Sequence, residues 1–462
     1  MRSVRVFHHY MRLPLLLLAG AEAVLFAACY YIGFHTRWLS INAGPVPESA
    51  SPLLLSGLVA IVFVIWMAAM GLYEAHLREG LHGSLIRVVL ALLLGSVTLA
   101  AISFAMPELP LWRSTLLLAV IFSFIAILLL RGGFYFFRPN FFKRRILVVG
   151  SIDLTQMVID TDSRGIDFVG FLPLETEADA PCSVPIIHCD EPLPFLAARL
   201  QVDAIVLALP DCRGKLPIEE LLDCKVSGID ILELQSFFER EVGIIKLDLL
   251  SPSWLVYSDG FSHGSISLAV KRLFDLVMAT ILGLIFAPFM LVAALAIFIE
   301  SDFRYSVLYR QVRIGENGMP FQVIKFRSMR IDAEADGRPR WATKHDDRVT
   351  RVGRFIRKTR IDEMPQIFNI IKGDMSFVGP RPERPEFVTM LAKKHIYYAS
   401  RHRVKPGLTG WAQLCFPYGN TEADALSKLE YDLYYVKNYS LFLDMLILVE
   451  TVEVVLFGKG AL

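Results

Sequence analysis

Four apolar stretches in the first third of the chain decide most of what this sequence can become: Leu13 to Phe34, Leu53 to Leu72, Val88 to Met106, and Ser114 to Leu130. Each has the length needed to cross the ~30 Å hydrocarbon core of a bilayer as a helix. The first is too long, and too closely followed by further spans, for a cleaved signal peptide. Arg2, Arg5 and Arg12 precede the first stretch, and Arg78 and Arg87 separate the second from the third. Arg131, Arg138, Lys143, Arg144 and Arg145 follow the fourth, whereas the opposite side shows only Arg37 and Arg113. The positive-inside rule therefore puts both ends of the block in the cytoplasm. Glu22 is the one acid inside these stretches. With no Lys or Arg inside them to pair with, it reads as a helix-packing residue rather than part of a transport path.

The chain has 462 residues, enough for two or three domains, and 54% of them are hydrophobic. A formal net charge of +1 suggests no nucleic-acid partner, so local clusters carry the argument. The six cysteines include no C-x-x-C pair. Cys182, His188 and Cys189 lie close together without a matching second pair, so they read as thiols rather than a metal site. The pattern suits a reducing cytosolic side.

After Arg145 the texture changes. Ile146 to Gly150 and Ala204 to Leu209 read as buried strands, with helical spacing at Leu193 to Leu200 and Ile218 to Cys224. Strands alternating with helices argue for an open parallel sheet. The first strand runs into GSIDLTQ, which lacks the second and third glycines of a dinucleotide fingerprint, so no nucleotide cofactor is expected there. A fifth apolar stretch, Phe274 to Ile299, contains Pro288. Lys271 and Arg272 precede it, and Arg304, Arg310 and Arg313 follow it. By length alone it reads as a fifth span, but positive charge on both flanks and a helix-bending proline favour a re-entrant hairpin with both ends inside.

The segment TRIDEMPQIFNIIKGD carries Met364, Ile367, Phe368 and Ile371 at helical spacing and predicts an amphipathic helix. Pro365 belongs in its first turn, and Gly373 follows its end. Asp362 and Glu363 then sit at the helix N-terminus, where acids serve as caps. The cations Arg351, Arg354, Arg357, Lys358 and Arg360 crowd the same place and are expected to favour ionised Asp362. An ionised carboxylate can attack phosphorus, and its neighbour can hold Mg²⁺ together with substrate phosphates. Val352, Phe355 and Ile356 allow the basic segment to face lipid headgroups instead. GPRP stiffens the presentation of Arg381, and KPGLTGW reads as a loop with an interfacial Trp411.

Taken in order, KRLFD, QVRIGENGMPF, KFRSM, RVGRFIRKTRIDEMPQ, GDMSFVGPRPE, KPGLTGWAQ and YDLYYVKNYS resemble the polyprenyl-phosphate hexose-1-phosphate transferases, bacterial sugar transferases of exopolysaccharide and O-antigen synthesis. The resemblance implies a multi-domain protein of the bacterial inner membrane. Residues 1–138 would form a four-helix transmembrane bundle, 139–264 a Rossmann-like α/β middle domain, and 265–462 a mostly α catalytic domain with a re-entrant hairpin at 271–300 broken at Pro288. It implies transfer of hexose-1-phosphate from a UDP-sugar to undecaprenyl phosphate with release of UMP. Asp362 would be the nucleophile and Glu363 the Mg²⁺ ligand. Lys325, Arg327, Arg354, Arg357, Arg360, Gln366 and Arg381 would bind substrate. Where the family has Ser-Pro and Asp-Pro-Arg, this chain has Ala287-Pro288 and Asp346-Asp347-Arg348. Membrane lipids are expected partners, and a homodimer is compatible with a middle domain that lacks an evident ligand. The competing readings are a non-catalytic scaffold or regulator of polysaccharide assembly and a nicotinamide-linked oxidoreductase.

Overall fold

The computed structural model describes residues 3–6, 9–40, 51–70, 72–73, 81–107, 109, 111–137, 144–160, 166–173, 184–187, 191–209, 217–250, 254, 258, 260–261, 264–330, 348–416 and 421–457. Cys182, His188, Cys189, Cys212, Asp346 and Asp347 lie outside the described residues. The chain divides into two compact units, Met1–Val6 with Tyr10–Val242, and Phe7–His9 with Gly243–Leu462.

In the first unit the apolar stretches form helices Leu13–Ser40, Pro52–Ala69, Leu81–Ala105 and Arg113–Phe137. Together with a fifth in the second unit, five helices among the described residues are long and apolar enough to cross a membrane. The first helix packs on the second and fourth. Phe26, Phe34, Phe63 and Met67 are buried, while Leu17, Val24, Leu54 and Leu129 face outward. An apolar exterior around an apolar interior is the pattern of a helix bundle in lipid.

The structure agrees with a helix-packing role for Glu22 and supplies the partner that the apolar stretches lacked. Its carboxylate is fully buried and accepts from Arg131, Nε to Oε1 at 2.7 Å and Nη2 to Oε2 at 3.1 Å. Tyr73 donates its hydroxyl to Oε2 at 2.6 Å. Arg131 stood just past the apolar window, but its helix continues to Phe137 and brings the guanidinium back to the first helix. The acid therefore does stitch helices together, with a cation as its partner. Removing one member of such a pair leaves a buried charge unmatched. Glu22→Leu is expected to lower the thermal midpoint of the detergent-solubilised protein by several degrees, and Glu22→Leu/Arg131→Leu to recover most of the loss. A double variant as unstable as the single one would show that the pairing contributes nothing.

A parallel four-stranded sheet follows, ordered Ile166–Pro173, Arg144–Gly150, Ala204–Ala208, Asp230–Glu233. The two central strands are buried almost throughout, which is why they read as continuous apolar runs. Helices Ile152–Ile159, Leu193–Arg199 and Ile218–Val226 lie along the chain between the strands. Gly150 is dictated by packing: a Cβ there would sit 2.1 Å from the Ala208 carbonyl oxygen, and its φ is +151°.

The second unit begins with residues 243–250 strapped across helix Glu422–Lys437. Leu247 N–H donates to Glu430 Oε1 at 3.1 Å, and Lys246 pairs with the same carboxylate at 3.2 Å. Trp411 donates its indole N–H to Gly243 O at 2.8 Å and packs near Tyr434. It is half-buried and packs against the core of this unit. The segment from Gly243 thus belongs to the unit that carries the motifs.

Helix Ser265–Glu300 continues through Pro288. Both of its ends are tied to the same unit. Arg272 donates to Ile370 O at 2.6 Å, and Glu300 accepts from the backbone N–H of Arg351 at 2.8 Å. Its first half packs on the main core through Ala279, and its second half on Ile356 and Phe326 through Ala293 and Ile297. The core itself is built from Ile367, Ile370, Met375, Phe377, Tyr434 and Tyr435. An antiparallel hairpin, Leu308–Ile314 with Pro320–Phe326, and a short parallel pair, Ser376–Val378 with Gly407–Thr409, frame the motif-bearing segment.

Candidate active site

The carboxylates Asp362 and Glu363 lie on a 3-10 turn, Ile361–Glu363, ahead of a two-turn helix, Gln366–Lys372. Arg360 opens the turn at φ 59°, and Pro365 stands at the helix N-cap. Gly373 ends the helix at φ 100°, as the sequence predicted. The expected apolar stripe splits. Ile367 and Ile370 are buried, while Phe368 and Ile371 face outward.

Glu363 is the electrostatic centre. Its Oε1 takes Lys325 Nζ at 2.8 Å and Arg381 Nη2 at 2.8 Å, and Arg360 Nη1 lies 3.8 Å from Oε2. Burial opposes its charge, but Lys325 and Arg381 outweigh burial and hold its carboxyl well below the usual carboxylate range. Burial likewise pushes the Lys325 ammonium down, against the pull of Glu363.

Asp362 behaves in the opposite way, which corrects the expectation of a strongly favoured anion. Burial and the adjacent Glu363 charge push its pKa from 3.8 up to about 6, against Lys325, Arg357 and Arg360. Its Oδ1 is buried and accepts no hydrogen bond. Glu363 has claimed the nearest cations and leaves Asp362 the more basic of the two. Environments that push paired carboxylates apart assign them different roles.

Each cation is held from behind. Lys325 sits on strand Pro320–Phe326, clipped to the Gln366–Lys372 helix by Asn369. That amide accepts from Ile324 N–H at 3.0 Å and donates to Gln322 O at 2.7 Å. Asn369→Leu would leave two backbone groups unpaired, each worth about 1–3 kcal/mol when buried. A loss of about 3 kcal/mol in unfolding free energy is expected; a loss below ~1 kcal/mol would show that the clip holds nothing. Arg381 follows Pro380 in a turn gripped by two other arginines. Arg401 Nη2 donates to Arg381 O at 3.1 Å, and Arg313 Nη1 to Pro382 O at 3.2 Å. Arg401 is itself fixed by Asp432 at 2.7 Å and Tyr398 Oη at 2.8 Å. Gln413 Oε1 accepts from Arg381 Nη1 at 3.3 Å.

Of the residues expected to bind substrate, Lys325, Arg360 and Arg381 gather on Glu363, and Arg357 acts on Asp362 through its charge. Gln366 is buried at the first helical position. Arg327 and Arg354 make no hydrogen bond or ion pair with either carboxylate. Helix Arg351–Lys358 is set by its own sequence. Thr350 caps it by accepting from Gly353 N–H, and a Cβ at Gly353 would sit 2.0 Å from Ser328 O. Of its apolar residues Ile356 is buried, Val352 is half-buried and Phe355 is exposed, which narrows the face read as lipid-directed. Asn369, Arg401, Arg313 and Gln413 escaped sequence reasoning. All four stand in or beside the motifs, but their partners lie far along the chain.

Among the described residues no group of three or more His, Cys, Asp or Glu side chains assembles for a metal. Glu363 Oε2, with only Arg360 at 3.8 Å, is the carboxylate oxygen that could hold one. That fits Mg²⁺, which takes one or two carboxylates and completes its shell with phosphates and water. Lys325, Arg357, Arg360 and Arg381 outnumber the two acids, so a phosphate group bound with such an ion would balance the charge.

Three relatives frame this geometry. A UDP-N-acetylgalactosamine-undecaprenyl-phosphate N-acetylgalactosaminephosphotransferase of Aeromonas hydrophila is 40% identical over 241 residues, 52% of this chain and 56% of that protein. An undecaprenyl-phosphate glucose phosphotransferase of Komagataeibacter xylinus is 34% identical over 278 residues, 59% of this chain and 52% of that protein. A UDP-glucose:undecaprenyl-phosphate glucose-1-phosphate transferase of Caulobacter vibrioides is 42% identical over 193 residues, 41% of this chain and 71% of that protein. The chain thus spans about half the length of the first two. The bacterial sugar transferase family model matches residues 266–458, the stretch that holds the dyad and every group around it. The chain is a membrane protein and belongs to the bacterial sugar transferase family.

Proposed function

We propose that this chain transfers a hexose-1-phosphate from a UDP-sugar to undecaprenyl phosphate through a covalent intermediate on Asp362. The observation that carries the proposal is the division of labour in the dyad. One carboxylate is basic and has an oxygen without a hydrogen bond; the other is clamped by two cations. Asp362 Oδ1 attacks the phosphorus that bears the sugar. The bond from that phosphorus to the UMP oxygen breaks, and UMP leaves with the electron pair. The acceptor phosphate oxygen then attacks the same phosphorus and returns Asp362 as a carboxylate, which yields the diphospho-sugar lipid. Lys325, Arg360 and Arg381 stand where non-bridging oxygens would carry negative charge. Mg²⁺, held by Glu363 together with the donor phosphates, would neutralise the charge that builds on the leaving UMP.

The reading places catalysis at the cytoplasmic face of the bacterial inner membrane. Arg272 near the start of helix Ser265–Glu300 and Arg304 after it, with the attachment of both its ends to one unit, support a re-entrant path that turns near Pro288. The parallel sheet supports a Rossmann-like middle domain, and light scattering of the purified protein tests the homodimer. A UMP-release assay with undecaprenyl phosphate and Mg²⁺ across UDP-glucose, UDP-galactose and UDP-N-acetylgalactosamine tests the reaction. Release with at least one donor, dependent on the lipid, is expected. No release with any of them would leave the scaffold reading.

A further inference from the structure

The motif KRLFD has no part in the chemistry just described, yet three of its side chains are committed to the site's frame. The helix that follows the dyad ends at Lys372, and the strand that leads to Arg381 starts at Ser376. Arg272 donates Nη1 to Ile370 O at 2.6 Å and Nη2 to Ile371 O at 2.7 Å, on the helix side of this turn. Asp275 Oδ1 accepts from Ser376 Oγ at 3.1 Å and Phe377 N–H at 3.3 Å, on the strand side. Lys271 bridges Asp275 at 3.0 Å and Asp444 at 2.9 Å. Lys271, Asp275 and Asp444 are almost wholly buried. One face of the membrane helix therefore holds both arms of the turn that joins Glu363 to Arg381.

We propose that Lys271, Arg272 and Asp275 are positioning residues: by fixing the angle between the dyad helix and the Ser376–Val378 strand they set the contact of Arg381 with Glu363. Stiffness explains why the grip must lie there. The strand runs only from Ser376 to Val378, paired with Gly407–Thr409. Gly379 N–H donates to Thr409 O at 2.9 Å, and Gly407 N–H to Pro380 O at 3.0 Å. A three-residue strand has too few ladder bonds to hold its own direction, and Asp275 anchors its first residue from outside.

The catalytic part of the test rests on the proposed function; the hydrogen-exchange part does not. In the full-length protein, Asp275→Ala is expected to lower kcat for UMP release ~30-fold, and Asp275→Asn, which keeps an acceptor oxygen, no more than ~3-fold. If Asp275 acts through Arg381, Asp275→Ala lowers kcat less than ~3-fold further in an Arg381→Ala background. Losses that multiply would overturn the proposal. Should Asp275→Ala not fold, the same cycle with Ser376→Ala decides the question. Amide exchange at Gly379 and Gly407 is expected to quicken at least ~10-fold in the variant, with the 308–326 hairpin unchanged. Unchanged exchange there overturns the clamp even if the wild type releases no UMP, whereas absence of UMP release with quickened exchange counts only against the proposed function.

Discussion

On the proposed function, Asp362→Asn is expected to abolish UMP release, by at least ~1,000-fold, and at neutral pH to make the folded protein harder to melt. The two halves have one cause. The folded protein raises the Asp362 pKa from 3.8 to about 6, so it prefers the protonated form. At about pH 4 and below, the native and unfolded states bind the same proton and nothing is lost. As pH rises through about 6, the buried carboxylate ionises at a cost to the fold on the order of 2–3 kcal/mol. Asparagine never ionises and escapes that cost. The melting advantage of the variant should therefore be present at pH 7.5 and vanish near pH 4. Activity should follow the opposite course: kcat/KM of the wild type is expected to rise with pH through about 6, as the proposed nucleophile ionises. Thermal scans of both proteins across this range and a pH–rate profile of the wild type check the account. A variant less stable than wild type at pH 7.5 would contradict it.

Lys325→Met is expected to be the second severe change. It removes one of the two cations bonded to Glu363 Oε1 and leaves the carboxylate facing an apolar thioether. Breaking a fully buried pair costs about 3–5 kcal/mol; with the lysine side chain 25% exposed, about 2 kcal/mol is the expected loss of stability. Turnover should fall ~100-fold or more, because Arg381 must then serve Glu363 alone while it is also needed at the phosphates. Lys325→Arg should recover stability better than activity, since a guanidinium keeps the charge but not the reach. Urea unfolding and UMP release, measured on the same preparations, separate the two effects. Equal recovery of both would show that Lys325 acts as a charge alone.

The sequence disclosed the elements with strong periodicity and the residues with unusual chemistry. The four apolar stretches became helices, the runs ending at Gly150 and Leu209 contain the two central strands, and Gly373 terminates the dyad helix. What stayed hidden was who pairs with whom. Reading along the chain gave Asp362 the cations from Arg351 to Arg360, whereas the ones that dominate the dyad come from Lys325, 38 positions before Glu363, and Arg381, 18 after it. Both bind Glu363 and keep it charged, and burial together with that charge raises the pKa of its neighbour. Asn369 looked like one polar residue in an amphipathic helix, because a clip to a strand 45 positions away leaves no local trace. Trp411 looked interfacial because an indole beside glycines is ambiguous until the Gly243 carbonyl is seen to receive its N–H.

The pairing of Glu22 with Arg131 bears on how such a protein is made. The acid enters the bilayer with the first helix, and its partner is 109 residues further along the chain. During synthesis the first helix must carry a carboxylate whose cationic partner has not yet been made, and an unpaired acid opposes insertion. Tyr73 arrives earlier and offers one hydroxyl. The guanidinium arrives only with the fourth helix, so the bundle closes late and from its last member. Chains truncated before Arg131 should therefore stay in the hands of the insertion machinery or its proteases, and the full bundle should be the first state stable enough to leave them.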